Sequence, residues 1–204
     1  MVKPVPHRPP RRLAAPERKS ELLRHALPIF AARGYAGTTT RELAKAARIT
    51  EPILYRHFAS KTELFLAVLE CAETRVLEAL ASILESARGA KGRLEALAEG
   101  LEPLLHELRL ELRVLNGAAS AEVEPAIAEA VKRIYARLAE RLGAALAGSG
   151  LRRGLRSEHA GAFVLELGLG AALLRPLGVS VVTEESYGAQ AKRLMLLALT
   201  GALR

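Results

Sequence analysis

The sequence predicts an all-α fold, and three observations carry that expectation. Leu and Ala, both strong helix formers, supply most of the apolar residues, while the chain has only four Phe, four Tyr and no Trp. Apolar positions recur at spacings of three and four, and no stretch of useful length alternates apolar and polar like a half-buried strand. Between Thr38 and Lys61, capping signals and apolar spacing mark two short helices separated by a tight break. About nine helices are expected. They divide into a mobile basic arm (1–15), a helix-turn-helix domain (16–62) and a larger helical domain (63–204), joined by one long helix.

Residues 1–15 hold four Pro with Lys3, Arg8, Arg11 and Arg12 and have no apolar period, so an extended arm is expected. It is either a leader without a role or a source of phosphate and minor-groove contacts. A first helix should start near Pro16, bury Leu22, Leu23, Ala26, Leu27, Ile29 and Phe30, kink at Pro28 and stop at Gly34. Thr39 and Glu42 form a capping box that opens the second helix, with Leu43, Ala44 and Ala47 on its apolar side. Ile49 sits in the break, and Thr50 can cap a third helix running to about Phe58. There Leu54 and Phe58 face inward, while Glu51, Pro52, Tyr55 and Arg56 look out. Pro52 is tolerable because it falls in the first turn. Ser60 and Glu63 form a second capping box. It opens a helix from Lys61 to about Ser86, with Leu64, Val68, Cys71, Ala72, Val76, Leu80 and Ile83 on its stripe. Two short helices joined this way, with polar, aromatic and basic groups outward, have helix-turn-helix geometry.

Beyond Gly89 the spacing predicts helices over about 94–106 and 108–118, then one opened by Pro125 and carrying Ile127, Val131, Ile134, Tyr135, Leu138, Leu142 and Leu146. A Gly-Ser-Gly break at 148–150 and a basic loop follow. The last two helices, Ser157–Leu174 and Thr183 to about Leu203, are apolar nearly all round. Such helices must be buried on all sides. A second subunit is the simplest cover, with Gly161, Gly168 and Gly170 permitting close approach.

Charge divides along the same line. Residues 1–65 carry 13 Lys and Arg against 5 Glu, whereas residues 66–204 carry 17 against 17. The net charge of +8 therefore belongs to the first third, and it points to a polyanion as partner of that third. One cysteine allows no intrachain disulfide. The basic N-terminus lacks the apolar run of a signal peptide, and the most apolar window, 162–174, is too short to span a bilayer. A cytoplasmic protein with no membrane partner is the expectation.

Catalytic and metal-binding signals are lacking. The five His are widely separated and the cysteine has no CxxC partner, so neither a metal site nor another cofactor is expected. There is no phosphate-binding GxxxxGK[ST], no GxGxxG after a strand and no GxSxG elbow. With no Asp in the chain, carboxylate chemistry would fall to Glu residues at helix-surface spacings. An enzyme is not expected. For DNA the groups are coherent. Arg41, Arg56 and Lys61 offer charge to phosphates, and Thr39, Thr40, Thr50, Tyr55 and His57 offer neutral hydrogen bonds to the backbone. Glu51, Pro52, Ile53, Tyr55 and Arg56, on the N-terminal half of the third helix, are placed to meet base edges. Glu51 could accept from a cytosine amino group, and Pro52 or Ile53 could pack on thymine methyls.

These residues carry a resemblance. Residues 19–65, with LLRHALPIFAARGYAGTTTRELAKAARITEPILYRHFASKTELF at their heart, resemble the DNA-binding domain of the TetR family of bacterial transcriptional regulators. The matching features are the LxxFxxxGYxxTT lead-in, the ELAKAA helix, the T…LYRHF reading helix and the SKxEL start of the fourth helix. They cover about a quarter of the chain; the rest agrees only in helix number and order. The resemblance implies phosphate contacts at Thr40, Tyr55, His57 and Lys61, and base contacts at Arg41, Glu51, Pro52, Ile53 and Arg56. It departs at Arg48, where the family usually has Gly in the turn. Either that position needs φ > 0, at a cost to a non-Gly residue of about 1 kcal/mol, or the turn is reshaped.

The resemblance further implies a homodimer paired through its last two helices, here including Phe163, Leu167, Gly170, Leu174, Leu194 and Leu197. The two reading helices would enter successive major grooves of a palindromic operator. A small apolar or amphipathic effector would bind in the neutral domain and release the DNA, with the helix from Lys61 carrying the change. Cys71, His106, Leu112, Asn116, Tyr135, Phe163 and Glu166 are candidates by position for its cavity. From another class, a sequence-tolerant architectural DNA-binding protein without an effector would also fit the motif and the charge.

Overall fold

The computed structural model describes residues 15–85, 87, 89–148, 150–174, 177–178 and 185–201. The expected arm and the Thr183 cap lie outside these residues. Every regular element among them is an α-helix: α1 (Ala15–Arg33), α2 (Thr40–Ala46), α3 (Glu51–His57), α4 (Lys61–Glu85), α5 (Gly89–Glu107), α6 (Arg109–Ser120), α7 (Pro125–Leu146), α8 (Ser157–Leu174) and α9 (Glu185–Thr200).

The first three helices form a small head. Leu22, Ala26 and Phe30 recur every fourth residue along α1, and all are buried. They meet Leu43 of α2, Leu54 and Phe58 of the α3 segment, and Leu64 and Phe65 of α4 in one core. Phe30 packs edge-on to Phe65 with ring centroids 4.7 Å apart. The helix α1 continues through Pro28, which is exposed, and ends at Gly34 with φ +68°. A proline ring on the solvent side of a helix clashes least with the packed face.

Helix α4 runs from the head into the C-terminal domain, where it packs against α5, α6 and α7. Its buried face holds Leu64, Phe65, Val68, Leu69, Ala72, Glu73, Val76 and Leu80. Cys71, expected on that stripe, is exposed. The buried arc extends toward Leu69 and Glu73, which turns Cys71 outward. A second tie between head and domain is the packing of α1 on α6.

The closest helix pair is α7 with α8. A Cβ placed on Gly161 would stand 2.7 Å from the Ala139 carbonyl oxygen, so only glycine lets the backbones approach this far. Small residues in α8, expected to serve a second subunit, thus serve α7 of the same chain at Gly161. Two carboxylates are buried here. Glu73 of α4 accepts two hydrogen bonds of 2.5 Å from Arg137 of α7, and Glu111 of α6 pairs with Arg75 of α4. These side-by-side charges fasten α4 to both neighbours. Tyr135 is largely buried and donates to the Asn116 side-chain oxygen at 2.9 Å. Burial pushes its phenol up to about 12.

Candidate nucleic-acid interface

Helices α2 and α3 are seven residues each. Too short to persist alone, they are fixed by caps and by the core beneath. At α2 the capping box is complete: the Thr39 hydroxyl accepts from the Glu42 amide at 3.3 Å, and the Glu42 carboxylate accepts from the Thr39 amide at 3.1 Å. The Thr39 amide, then the Thr39 hydroxyl and the nearby Arg33 guanidinium, hold the Glu42 carboxyl below the usual carboxylate range. At α4 the Ser60 hydroxyl accepts from the Glu63 amide at 3.0 Å, while the Glu63 carboxylate reaches one residue further back, to the Ala59 amide.

Thr50 differs. It occupies the capping position of α3, but its side chain makes no capping bond. Pro52 has no N–H to offer, and the Ile53 amide donates to the Thr50 carbonyl at 3.0 Å instead. The hydroxyl expected to cap is therefore left for an outside partner. Ahead of it, Arg48 stands at φ +55°, the one non-glycine in the left-handed region among the described residues. Of the two alternatives for this turn, the left-handed conformation is the one adopted.

The outer face of α3 presents Pro52, Ile53, Tyr55 and Arg56, all exposed, with Ile53 38% and Tyr55 45% accessible. Together they set apolar and aromatic surface beside a cation on the outer side of a short helix. Arg41 and Thr50 are exposed beside it, and His57 is half-buried. Three other expected contacts are already engaged. Thr39 is used in its capping box. The Thr40 hydroxyl donates to Glu51 at 3.0 Å, which ties α2 to α3 and occupies one carboxylate oxygen. Lys61 donates from Nζ to the carbonyls of Tyr35 (3.0 Å) and Thr38 (3.1 Å), with the ammonium 4.2 Å from the centre of the Tyr35 ring. One of its three donors is left for a phosphate. Arg41, Lys45, Arg48 and Arg56 form no ion pair among the described residues, so their charge acts on the solvent side.

The expected effector set does not converge on one cavity among the described residues. Cys71, His106 and Glu166 are exposed, and Asn116 and Tyr135 satisfy each other. Leu112 borders an apolar cavity of about 40 Å³ among α4–α8. Phe163 alone of the set borders the larger one. Spacing along each helix fixes which residues share a face, but not which faces of different helices turn together. The larger cavity, about 810 Å³, lies between α5, α8 and α9. Apolar groups dominate its lining, with Glu102, Arg152, Gln190 and Lys192 as polar members. Four expected interface residues, Phe163, Leu167, Leu194 and Leu197, border this same space. Leu167, Leu174 and Leu194 are 41%, 40% and 64% accessible, and Gly170 is half-buried. Helix α9 buries Met195, which also borders this space, and Leu199.

Sequence reasoning missed Tyr35, Thr62 and Glu124, which meet where the head joins the C-terminal domain. It also missed the buried Glu73 and Glu111.

Residues 22–68 match the model for bacterial regulatory proteins of the tetR family. Among characterised proteins, the transcriptional activator FasR of Mycolicibacterium smegmatis is 36% identical over 43% of this chain, and the aligned part spans only 40% of FasR. The nucleoid occlusion factor SlmA of Marinobacter nauticus is 29% identical over 69% of this chain and 72% of its own length. Among solved structures, AibR in complex with isovaleryl coenzyme A and operator DNA has the same fold, with a TM-score of 0.67 at 20% identity, covering 90% of this chain and 98% of AibR.

Proposed function

The chain belongs to the TetR family of bacterial regulators, and on that premise we propose that it is a homodimeric repressor that binds a palindromic operator and is released by a small apolar or amphipathic effector. The observation that carries the reading is the exposed face of α3. Pro52, Ile53, Tyr55 and Arg56 stand together there, within the part of the chain that holds all the excess positive charge. Arg56 and Ile53 read bases, while Thr50, Tyr55, Arg41 and the remaining donor of Lys61 hold phosphates. Exposed leucines on α8 and α9 favour pairing of two chains. The 810 Å³ cavity is of a size that holds small ligands, and its mixed lining suits an amphipathic one. The fold is one on which AibR accommodates both a coenzyme A ester and DNA. Such a ligand acts by preferring the DNA-incompetent arrangement of the two heads. No helix among the described residues is long and apolar enough to cross a membrane.

A second reading, a sequence-tolerant architectural DNA-binding protein, is favoured by the likeness to a nucleoid occlusion factor. One experiment separates the two. Duplexes are enriched from a random pool by the wild-type protein, and their affinity is compared with that of random DNA at fixed salt. A ratio of about 10³ or more supports the regulator. A ratio near one sinks it in favour of the architectural protein.

A further inference from the structure

We propose that Glu124 is a positioning residue for DNA binding, whose carboxylate fixes the head on the C-terminal domain by holding Tyr35 and Thr62. The proposal rests on the two-headed operator reading above.

Three places in the chain meet at this point: the connection between α1 and α2 (Tyr35), the first turn of α4 (Thr62) and the residue before α7 (Glu124). Tyr35 donates its phenolic hydrogen to Glu124 Oε1 at 2.5 Å, and Thr62 donates its hydroxyl hydrogen to Oε2 at 2.9 Å. The two hydroxyl oxygens stand 2.9 Å apart, as expected when two single-hydrogen donors share one carboxylate. Both hydrogen bonds, with the Lys61 ammonium nearby, hold the Glu124 carboxyl below its ordinary range.

The carboxylate is not there for α7. Its side chain makes no capping bond, and the Glu124 carbonyl alone receives the Ile127 and Ala128 amides. Tyr35, by contrast, is built into the head. Its ring lies 5.2 Å from that of Phe65, and Lys61 joins its carbonyl to that of Thr38. Thr38 is 1% exposed and directly precedes the cap of α2. A hold on Tyr35 therefore passes in two steps to the α2–α3 pair. Removing it widens the range of head orientations without altering α3. A single head on a single half-site does not sense that range, but two heads that must land together do, through their effective concentration.

The test uses the full chain and two duplexes. One is the two-half-site sequence enriched from a random pool by the wild type, and the other is the same duplex cut to one half-site. Glu124→Ala is expected to weaken two-half-site binding about three- to tenfold, as loss of one or two partly exposed hydrogen bonds would. Half-site affinity should be unchanged. Glu124→Gln, whose amide can accept from Tyr35 and donate to Thr62, should stay within about twofold of wild type. A loss shared equally by both duplexes, a gain, or no loss at all overturns the proposal. If the wild type enriches no two-half-site sequence, the operator reading itself fails. Amide exchange then decides the joint: faster exchange at residues 36–38 and in the first turn of α4 in Glu124→Ala sustains it, and unchanged exchange overturns it.

Discussion

The cations around α2 and α3 and two cations of the C-terminal domain are used in opposite ways. Arg41, Lys45, Arg48 and Arg56 stand on the outside of the head with no carboxylate partner among the described residues, next to an exposed Tyr55 and Ile53. Arg75 and Arg137 in the domain instead neutralise Glu111 and Glu73, whose side chains are 3% and 8% accessible. Arg18 and Arg33 of the head do pair, with Glu21 and Glu42, so the contrast lies between the cations around α2 and α3 and those that meet the two buried carboxylates. The difference identifies which surface has its partner outside the molecule. Stability and binding should therefore respond to different residues.

The largest effect should come from packing in the domain. Gly161→Ala forces a methyl group into the backbone of α7 and is expected to lower stability by about 3 kcal/mol, read by denaturant unfolding. Intact stability would mean that α7 and α8 separate at little cost. Removing a neutralising cation ranks next. Arg137→Met strands the Glu73 carboxylate and should lower stability, by less than Gly161→Ala because Arg137 is itself half-exposed and water offsets part of the loss. The matching change in the head, Arg56→Met, should leave stability within about 0.5 kcal/mol while costing about tenfold in affinity for the selected duplex. If both substitutions moved the same observable, the division between the two regions would be false. The smallest effect concerns the turn. Arg48→Gly relieves a left-handed conformation and should raise the unfolding free energy by about 1 kcal/mol. A loss of stability instead would show that the Arg48 side chain does more for the turn than its backbone costs.

Much of the head was legible because its signals are local. The Thr39–Glu42 box closes over three residues, Ser60 caps α4 while Glu63 reaches back to Ala59 instead, and Leu54 and Phe58 mark the buried side of α3 by spacing alone. Helix α8 begins and ends where expected, at Ser157 and Leu174. The Glu124 joint was illegible for the converse reason, since Tyr35 lies 89 residues away. Glu73 and Glu111 were hidden by their residue type, because Glu on a helix ordinarily faces water. The expected effector residues scattered because a cavity needs the rotational phase of several helices at once. Cys71 shows how one residue at the margin of a stripe turns outward. Thr50 and Lys61 show the same limit within the head: Pro52 has no amide to offer the Thr50 hydroxyl, the Ile53 amide turns to the Thr50 carbonyl, and the Tyr35 and Thr38 carbonyls take up the Lys61 ammonium.

The most direct measurement is the dependence of DNA affinity on salt for the wild type, with Arg41→Met and Arg75→Met beside it. Unpaired head cations that meet phosphates release counterions, so log affinity should fall with log salt at about −0.9 per contact neutralised. Arg41→Met, which removes a cation assigned to phosphate, should flatten that slope by about one per head, and Arg75→Met should leave it untouched. A wild-type affinity insensitive to salt, or equal flattening by both substitutions, would contradict the assignment of the head as the surface that meets DNA.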